Sequence, residues 1–229
     1  MSPELRVRRA TAADRDFLIE AIIESERGSA SCVSYCEIFS LDETALRTLF
    51  ASILSEDFEG QELCISGFLI AEADGAYAGA ACGWLEGEAG MPSTLIKANL
   101  LGHFLDAARL QEARRYFARL EALAITREKG AAQLESIYVR ATHRGRGVMG
   151  RILGEHLAQI QQRAPATSKA QIILVDANAS ARRAYEKLGF RVALQRRTDD
   201  PMLLPFVPGG IKILMERPIS ASRDACLEA

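Results

Sequence analysis

Long apolar runs are missing from this 229-residue chain: the longest stretches without a charged side chain, residues 75–85 and 201–211, are 11 residues each. A membrane-spanning helix needs about 20 apolar residues, so a spanning segment is excluded. Cysteine is scarce and has no pairing pattern. The five residues Cys32, Cys36, Cys64, Cys82 and Cys226 make an odd count with no CxxC pair, which excludes a disulfide scaffold and predicts reduced thiols. Zinc at Cys32 and Cys36 is rejected, since no second pair and no nearby histidine accompany them. The opening MSPELRVRRA has no apolar core, so no secretory signal is expected and a cytoplasmic location is. Net charge is nearly absent too, at −2.

With 48% hydrophobic and 25% charged residues, the composition is that of a globular protein able to bury a core, either one enlarged domain or two small ones. The small net charge hides a segregation. Residues 140–197 carry twelve Lys/Arg against three Asp/Glu, or +9, whereas residues 11–90 carry three against sixteen, or −13. A chain divided in this way is suited to an anionic ligand at one stretch and a cationic one at the other.

Residues 5–9 alternate apolar and basic and predict a short strand. Thr11-Ala12-Ala13-Asp14 reads as a capping box ahead of a helix with Phe17, Leu18, Ala21 and Ile22 on its apolar face. One helix, 42–54, is expected in the irregular acidic stretch 24–62. Strands at 67–73 and 77–86 flank Asp74-Gly75, a hairpin signal. Residues 87–131 carry helical periodicity through Leu95, Leu100, Leu101, Phe104, Leu105, Ala108, Tyr116, Phe117, Leu120 and Leu123. A strand at 134–139, a helix at 148–162, a strand at 172–176 and a helix at 178–188 closed by Gly189 follow. A last strand pair, 191–197 and 211–217, precedes a tail from residue 218 expected to be mobile. The order implies an α/β sheet with helices on both faces.

The chemistry concentrates between the strand at 134–139 and its helix, where Arg144 to Gly150 holds three glycines and two arginines. A helix N-terminus with orphan N–H groups and glycines that admit close approach binds anions. Gly145-x-Gly147-x-x-Gly150 spells the dinucleotide fingerprint, but residues 165–175 lack the acidic residue that pattern needs. A Walker loop fails for want of Lys-Ser/Thr, and a plain solvated basic turn is the bland alternative. The stretch Val139-Arg-Ala-Thr-His-Arg144-Gly-Arg-Gly147-Val148 resembles motif A of the GNAT superfamily of acyltransferases, Arg/Gln-x-x-Gly-x-Gly/Ala. Asn178-x-x-Ala181-x-x-x-Tyr185-Glu186-Lys187-x-Gly189-Phe190 is similar to the family's motif B. One departure is Met149, where the family has Gly or Ala.

The resemblance implies a GNAT fold: a mixed central sheet flanked by helices, strands four and five splayed, and here a helical insertion at about 87–131 between strands three and four. It implies one acyltransferase domain over residues 1–217 with a tail at 218–229. It further implies that acetyl-CoA, with no metal, donates an acetyl group to an amine by direct attack through a tetrahedral intermediate. Ile137 and Val139 would then pair with the pantetheine arm. Arg144, Gly145, Arg146, Gly147, Val148, Met149 and Gly150 would cradle the pyrophosphate, and Asn178 and Tyr185 would also contact the donor. Tyr185 is the candidate acid for the leaving thiolate, against a packing role. Glu135, four residues before Val139 and so on the same strand face, is the candidate base, against a solvent-facing role or a water chain.

His103, His143 and His156 are read as surface or packing residues, and Cys82 as an inert core thiol. The −13 stretch suggests a cationic small amine or a peptide or protein amine as acceptor, or else a solubilising surface. The insertion either walls the acceptor groove or builds a homodimer contact. Neither nucleic acid nor membrane is an expected partner. A catalytically silent acyl-CoA sensor, and more remotely a nucleic-acid-binding module drawn by the +9 stretch, are the alternatives.

Overall fold

A computed structural model describes residues 5–219 of the chain. Strands β1 (Leu5–Arg9), β2 (Phe68–Ala73), β3 (Ala76–Leu85), β4 (Ala132–Val139), β5 (Lys169–Val175), β6 (Arg191–Arg197) and β7 (Ile211–Pro218) form one sheet in the order β1-β2-β3-β4-β5-β7-β6. Only β4 and β5 run parallel. Helices α1 (Arg15–Arg27), α2 (Ser34–Phe39), α3 (Glu43–Glu56), α4 (Ser93–Phe104) and α5 (Ala107–Leu120) supply one side. The other is covered by α6 (Val148–Arg163) and α7 (Ala179–Lys187).

Period-two alternation divides the core between those sides. Ile70, Ala80, Cys82 and Trp84 pack with Phe17, Leu18, Ile22, Phe50 and Ile53, while Leu69, Ala71, Ala81 and Leu134 pack with Val148, Ile152, Leu153 and Leu157. The capping box at Thr11 forms: the Asp14 carboxylate accepts from the Thr11 N–H at 2.8 Å and its hydroxyl at 2.9 Å. Arg8 reaches the same carboxylate at 2.7 and 2.8 Å, and the Tyr77 hydroxyl donates to it at 2.8 Å. This fixes the entry of α1 over the β1–β2–β3 edge.

The sheet parts in its middle. β4 and β5 pair only at Ala132–Ala170 and Gln133–Gln171. That last rung is tied laterally, with the buried Gln133 Nε2 donating to Gln171 Oε1 at 2.7 Å and Gln171 Nε2 to Glu216 at 2.8 Å. Beyond it β4 carries a bulge. Ala80 faces Tyr138 and Cys82 faces Glu135, so β4 spends one residue more than β3, and Ser136 sits at φ 50. An extra residue bends and twists its strand, and the bend turns the end of β4 away from β5.

Three expectations change. The stretch 24–62 holds a second helix, α2, a single short turn-and-a-half that a six-residue pattern does not announce. In the insertion, α4 and α5 form, but Leu95 and Phe117 of the assumed apolar stripe are exposed; Leu101, Leu105, Tyr116 and Leu123 carry the burial. The last strand also runs further on: β7 reaches Pro218, and Ile219 is buried with its N–H on the Ser168 carbonyl at 2.8 Å. The rest of the expected mobile tail, with Cys226, lies outside the described residues.

The insertion is clasped to what surrounds the splay. Arg109 donates to the Ser40 carbonyl at 2.5 Å and Arg119 pairs with Asp200 at 2.5 Å, while next to it the Ser31 hydroxyl ties the α1–α2 loop to the Pro205 carbonyl at 3.1 Å. Tyr116 and Leu123 pack with Leu203, Phe206 and Val207 of the β6–β7 loop, against Cys32, Ile38 and Val175.

Candidate active site

The turn at 144–147 enters α6 through two glycines in the left-handed region, Gly145 at φ 72 and Gly147 at φ 75. Gly147 is the N-cap and has no side chain to accept from the first turn; the first helical bond is Arg151 N–H to the Gly147 carbonyl at 3.0 Å. The N–H groups of Val148, Met149 and Gly150 therefore point out of the helix end with no intrahelical acceptor. No acidic residue lies in this first turn, and Arg144 and Arg146 stand exposed beside it. Met149 tucks half-buried against the α6 cluster, and Gly150 lies under Leu188 of α7, where a Cβ would meet Leu188 at 3.3 Å.

The end of β4 leads into this turn. The Arg140 N–H bonds the Ala78 carbonyl of β3 at 2.9 Å, so backbone alternation turns the peptide groups of Tyr138 to β3 and those of Ile137 and Val139 to the open side. The Val139 carbonyl meanwhile accepts from Arg144 Nε at 3.1 Å. Glu20 of α1 anchors the strand end, taking Arg140 at 2.8 Å and the Tyr138 hydroxyl at 3.1 Å. Asn178 caps α7, its Oδ1 accepting from the Ala181 N–H at 3.3 Å. Its Nδ2 lies against Gly28, where an added Cβ would sit 3.2 Å away.

The bulge overturns one inference from spacing. Glu135 and Val139 do not share a face: Val139 packs with the α6 side, whereas Glu135 pairs at 2.8 Å with Arg127, whose guanidinium lies over Trp84 of the α1 side. The extra residue at Ser136 exchanges the faces, and nothing in the spacing announces it. Burial pushes the Glu135 pKa up, opposed by Arg127. Tyr185 comes from the opposite side, on α7, 6% exposed and edge-on to Phe190 at 6.3 Å. Burial, then the charge of Glu135, pushes its pKa well up, so the phenol stays protonated, and its hydroxyl has no hydrogen-bond partner among the described residues. Acid and base candidates thus meet the splay from its two faces.

Sequence reasoning missed the charges around Glu135. Glu62 is buried and ion-paired to Lys97 of α4, beside the buried Tyr35. Desolvation opposes its ionisation, but Lys97 and Arg127 hold its pKa down at about 2. Lys212 of β7 faces the same group. Lys97 and Arg127 both come from the insertion region, whose pattern signals only helices.

His156 is buried, with Nε2 at 2.8 Å from the Ala81 carbonyl and a pKa pushed down to about 4 by burial. Cys82 is fully buried with its pKa well raised by desolvation. His143 lies in the turn before α6 and His103 in the last turn of α4.

A parted α/β sheet with the open N–H groups of a helix start beside the gap is the arrangement expected of an acyltransferase. A profile of the Acetyltransferase (GNAT) family matches residues 33–190, more than half of the sequence, and the chain belongs to that family. It is an acyltransferase enzyme. The fold is similar to that of an N-acetyltransferase from Staphylococcus aureus Mu50 (16% identity, 92% of this chain and 99% of that one, TM-score 0.60). It is also similar to a ribosomal-protein-alanine N-acetyltransferase from Brucella melitensis (14%, 93% and 99%, 0.52). A GNAT-family acetyltransferase from Streptococcus pneumoniae matches too (14%, 95% and 100%, 0.51). No curated protein matches. The family in general uses acetyl-CoA as co-substrate.

Proposed function

We propose that this chain, as one acyltransferase domain with a helical insertion, moves an acetyl group from acetyl-CoA to a primary amine by direct attack. The observation that carries the reading is that β4–β5 pairing stops at Gln133–Gln171 while the open-side peptides of Ile137 and Val139 run straight to the orphan N–H groups of α6. An extended amide-containing arm would complete the parted sheet, and its diphosphate would meet Val148, Met149 and Gly150 N–H with Arg144 and Arg146 adding charge. Arg144 would release the Val139 carbonyl on binding. Asn178, already engaged as a cap, keeps Nδ2 for the donor.

In the reaction the amine nitrogen bonds to the thioester carbon, the C–S bond breaks, and two protons must be placed. Glu135, held next to Arg127, takes the proton from the ammonium directly or through water; Tyr185 gives one to the departing thiolate. An outward N–H at the end of β4 stabilises the oxyanion. A cytoplasmic setting fits the free thiols Cys32, Cys36, Cys64 and Cys82. The test is release of free CoA thiol from acetyl-CoA with a panel of amines. Amine-dependent release supports the reading, and acetyl-CoA binding without turnover against every amine would leave only a sensor.

A further inference from the structure

Lys212 is the charged side chain the mechanism above leaves unused. On β7, Ile211, Ile213 and Met215 pack toward α6 and α7, so alternation turns Lys212 to the opposite face of the sheet, the face of Glu135. Its register partner is Val175, the last residue of β5, which packs under the roof formed by Tyr116, Leu123, Leu203, Phe206 and Val207. Lys212 therefore stands across the splay from Glu135, at the acceptor side and beneath the wall built by the insertion and the β6–β7 loop.

The charges facing it come from four elements, and each of them already has a partner while Lys212 has none among the described residues. Arg127, before β4, is taken by Glu135, and Lys97 of α4 is taken by Glu62. Glu26, at the end of α1, is exposed and accepts from the Ser34 hydroxyl at 2.8 Å. Lys212 has no hydrogen bond or ion pair among the described residues, and the largest effect on its pKa is desolvation, which lowers it. Arg127 Nε is likewise buried without a partner. A half-buried lysine without a partner of its own, in one group of charges with a buried unpaired donor, is placed to take an anion that arrives. The diphosphate of the donor would not be that anion, because its cradle at the start of α6 lies on the opposite face of the sheet.

Resting on the acetyl-transfer reading, we propose that Lys212 binds a carboxylate of the acceptor, so that the substrate class is amino acids or peptides presenting an amine and a carboxylate close together. The ammonium end of such a zwitterion meets Glu135, with Glu62 behind it. The carboxylate end meets Lys212, with Arg127 Nε in support. This narrows the expectation of a cationic acceptor drawn from the −13 stretch. Most of those acidic residues, among them Asp16, Glu37, Asp42, Glu43, Glu56, Asp57 and Glu59, lie on the exposed surface.

The test compares acceptors in matched pairs with acetyl-CoA as donor: L-alanine with ethylamine, L-phenylalanine with phenethylamine, L-lysine with cadaverine. In the unmodified enzyme kcat/KM is expected to favour the carboxylate member by about tenfold or more, the scale of one charge-assisted bond. Lys212→Met should bring the ratio close to one through a higher KM for the amino acids, and Lys212→Arg should restore part of it. Calorimetric titration of each pair into CoA-saturated enzyme reads the same preference without turnover. A wild-type preference for the amines lacking a carboxylate overturns the proposal, as does a Lys212→Met ratio that stays unchanged. So does a preference that appears only for succinyl-CoA over acetyl-CoA, which would place the carboxylate on the acyl group. Absence of transfer to every acceptor, with amino acids still bound selectively, would instead overturn the acetyl-transfer reading alone.

Discussion

At the scale of single residues, the proposed mechanism divides its proton chemistry between two environments. Tyr185 is surrounded by apolar neighbours and kept neutral, which suits a donor to a thiolate. Glu135 is desolvated but held by Arg127, which suits a group that must ionise and still accept a proton. Tyr185→Phe should lower kcat at least about tenfold while acetyl-CoA affinity holds, within the span typical of a single general acid; steady-state kinetics with calorimetry checks it, and an unchanged kcat would remove Tyr185 from that role. Glu135→Gln should lower kcat/KM for the amine and flatten its rise with pH, because the amide cannot titrate. If the rise persists in the variant, a water chain serves as the base.

At the scale of elements, close approaches hold the catalytic strands in place. α6 crosses β3 where Gly83 meets His156: an added Cβ would lie 2.7 Å from His156 Nδ1. The ring is rigid, so Gly83→Ala should destabilise by about 1–3 kcal/mol through overpacking, read as a lower urea midpoint. The histidine also makes this contact acid-sensitive. Its folded pKa of about 4 lies below the ordinary 6.5, so the unfolded chain binds the extra proton first. The stabilising contribution is full above about pH 6.5 and is lost as pH falls from there toward 4. Urea unfolding between pH 7.5 and 4.5 should show this loss, with a shallower slope in His156→Gln; an equal slope in the two proteins would contradict it.

Helices and strands that carry strong patterns were legible at this scale. Alternation marked β1, Asp74-Gly75 marked the β2–β3 hairpin, and Gly189 at φ 88 closed α7 as a left-handed cap should. Short α2 and the β4 bulge were not legible. The first is too brief for a periodic signal, and the second depends on one residue, Ser136, adopting a φ that its identity does not demand. Spacing made Glu135 the candidate base, and the bulge overturned the shared face with Val139 on which that choice rested. The ion pairs Glu62–Lys97 and Arg127–Glu135 join residues far apart along the chain or in a connecting segment, so only the fold brings them together.

At the scale of the whole molecule, the segregated charge acquires a structure. The basic stretch contains the α6 turn, where Arg144 and Arg146 flank open N–H groups, while the acidic stretch is mostly exposed surface with three buried exceptions, Asp14, Glu62 and Glu86. The insertion, far from being a separate body, brings Lys97 to Glu62 and packs on the β6–β7 loop beside the splay. The central claim is that the parted strands and the α6 turn together receive acetyl-CoA. A crystal structure of the complex with CoA tests it most directly. The account predicts pantetheine amides paired with Ile137 and Val139 between β4 and β5, and the diphosphate on the N–H groups of Val148, Met149 and Gly150. Coenzyme bound elsewhere, with the splay closed or empty, would contradict it.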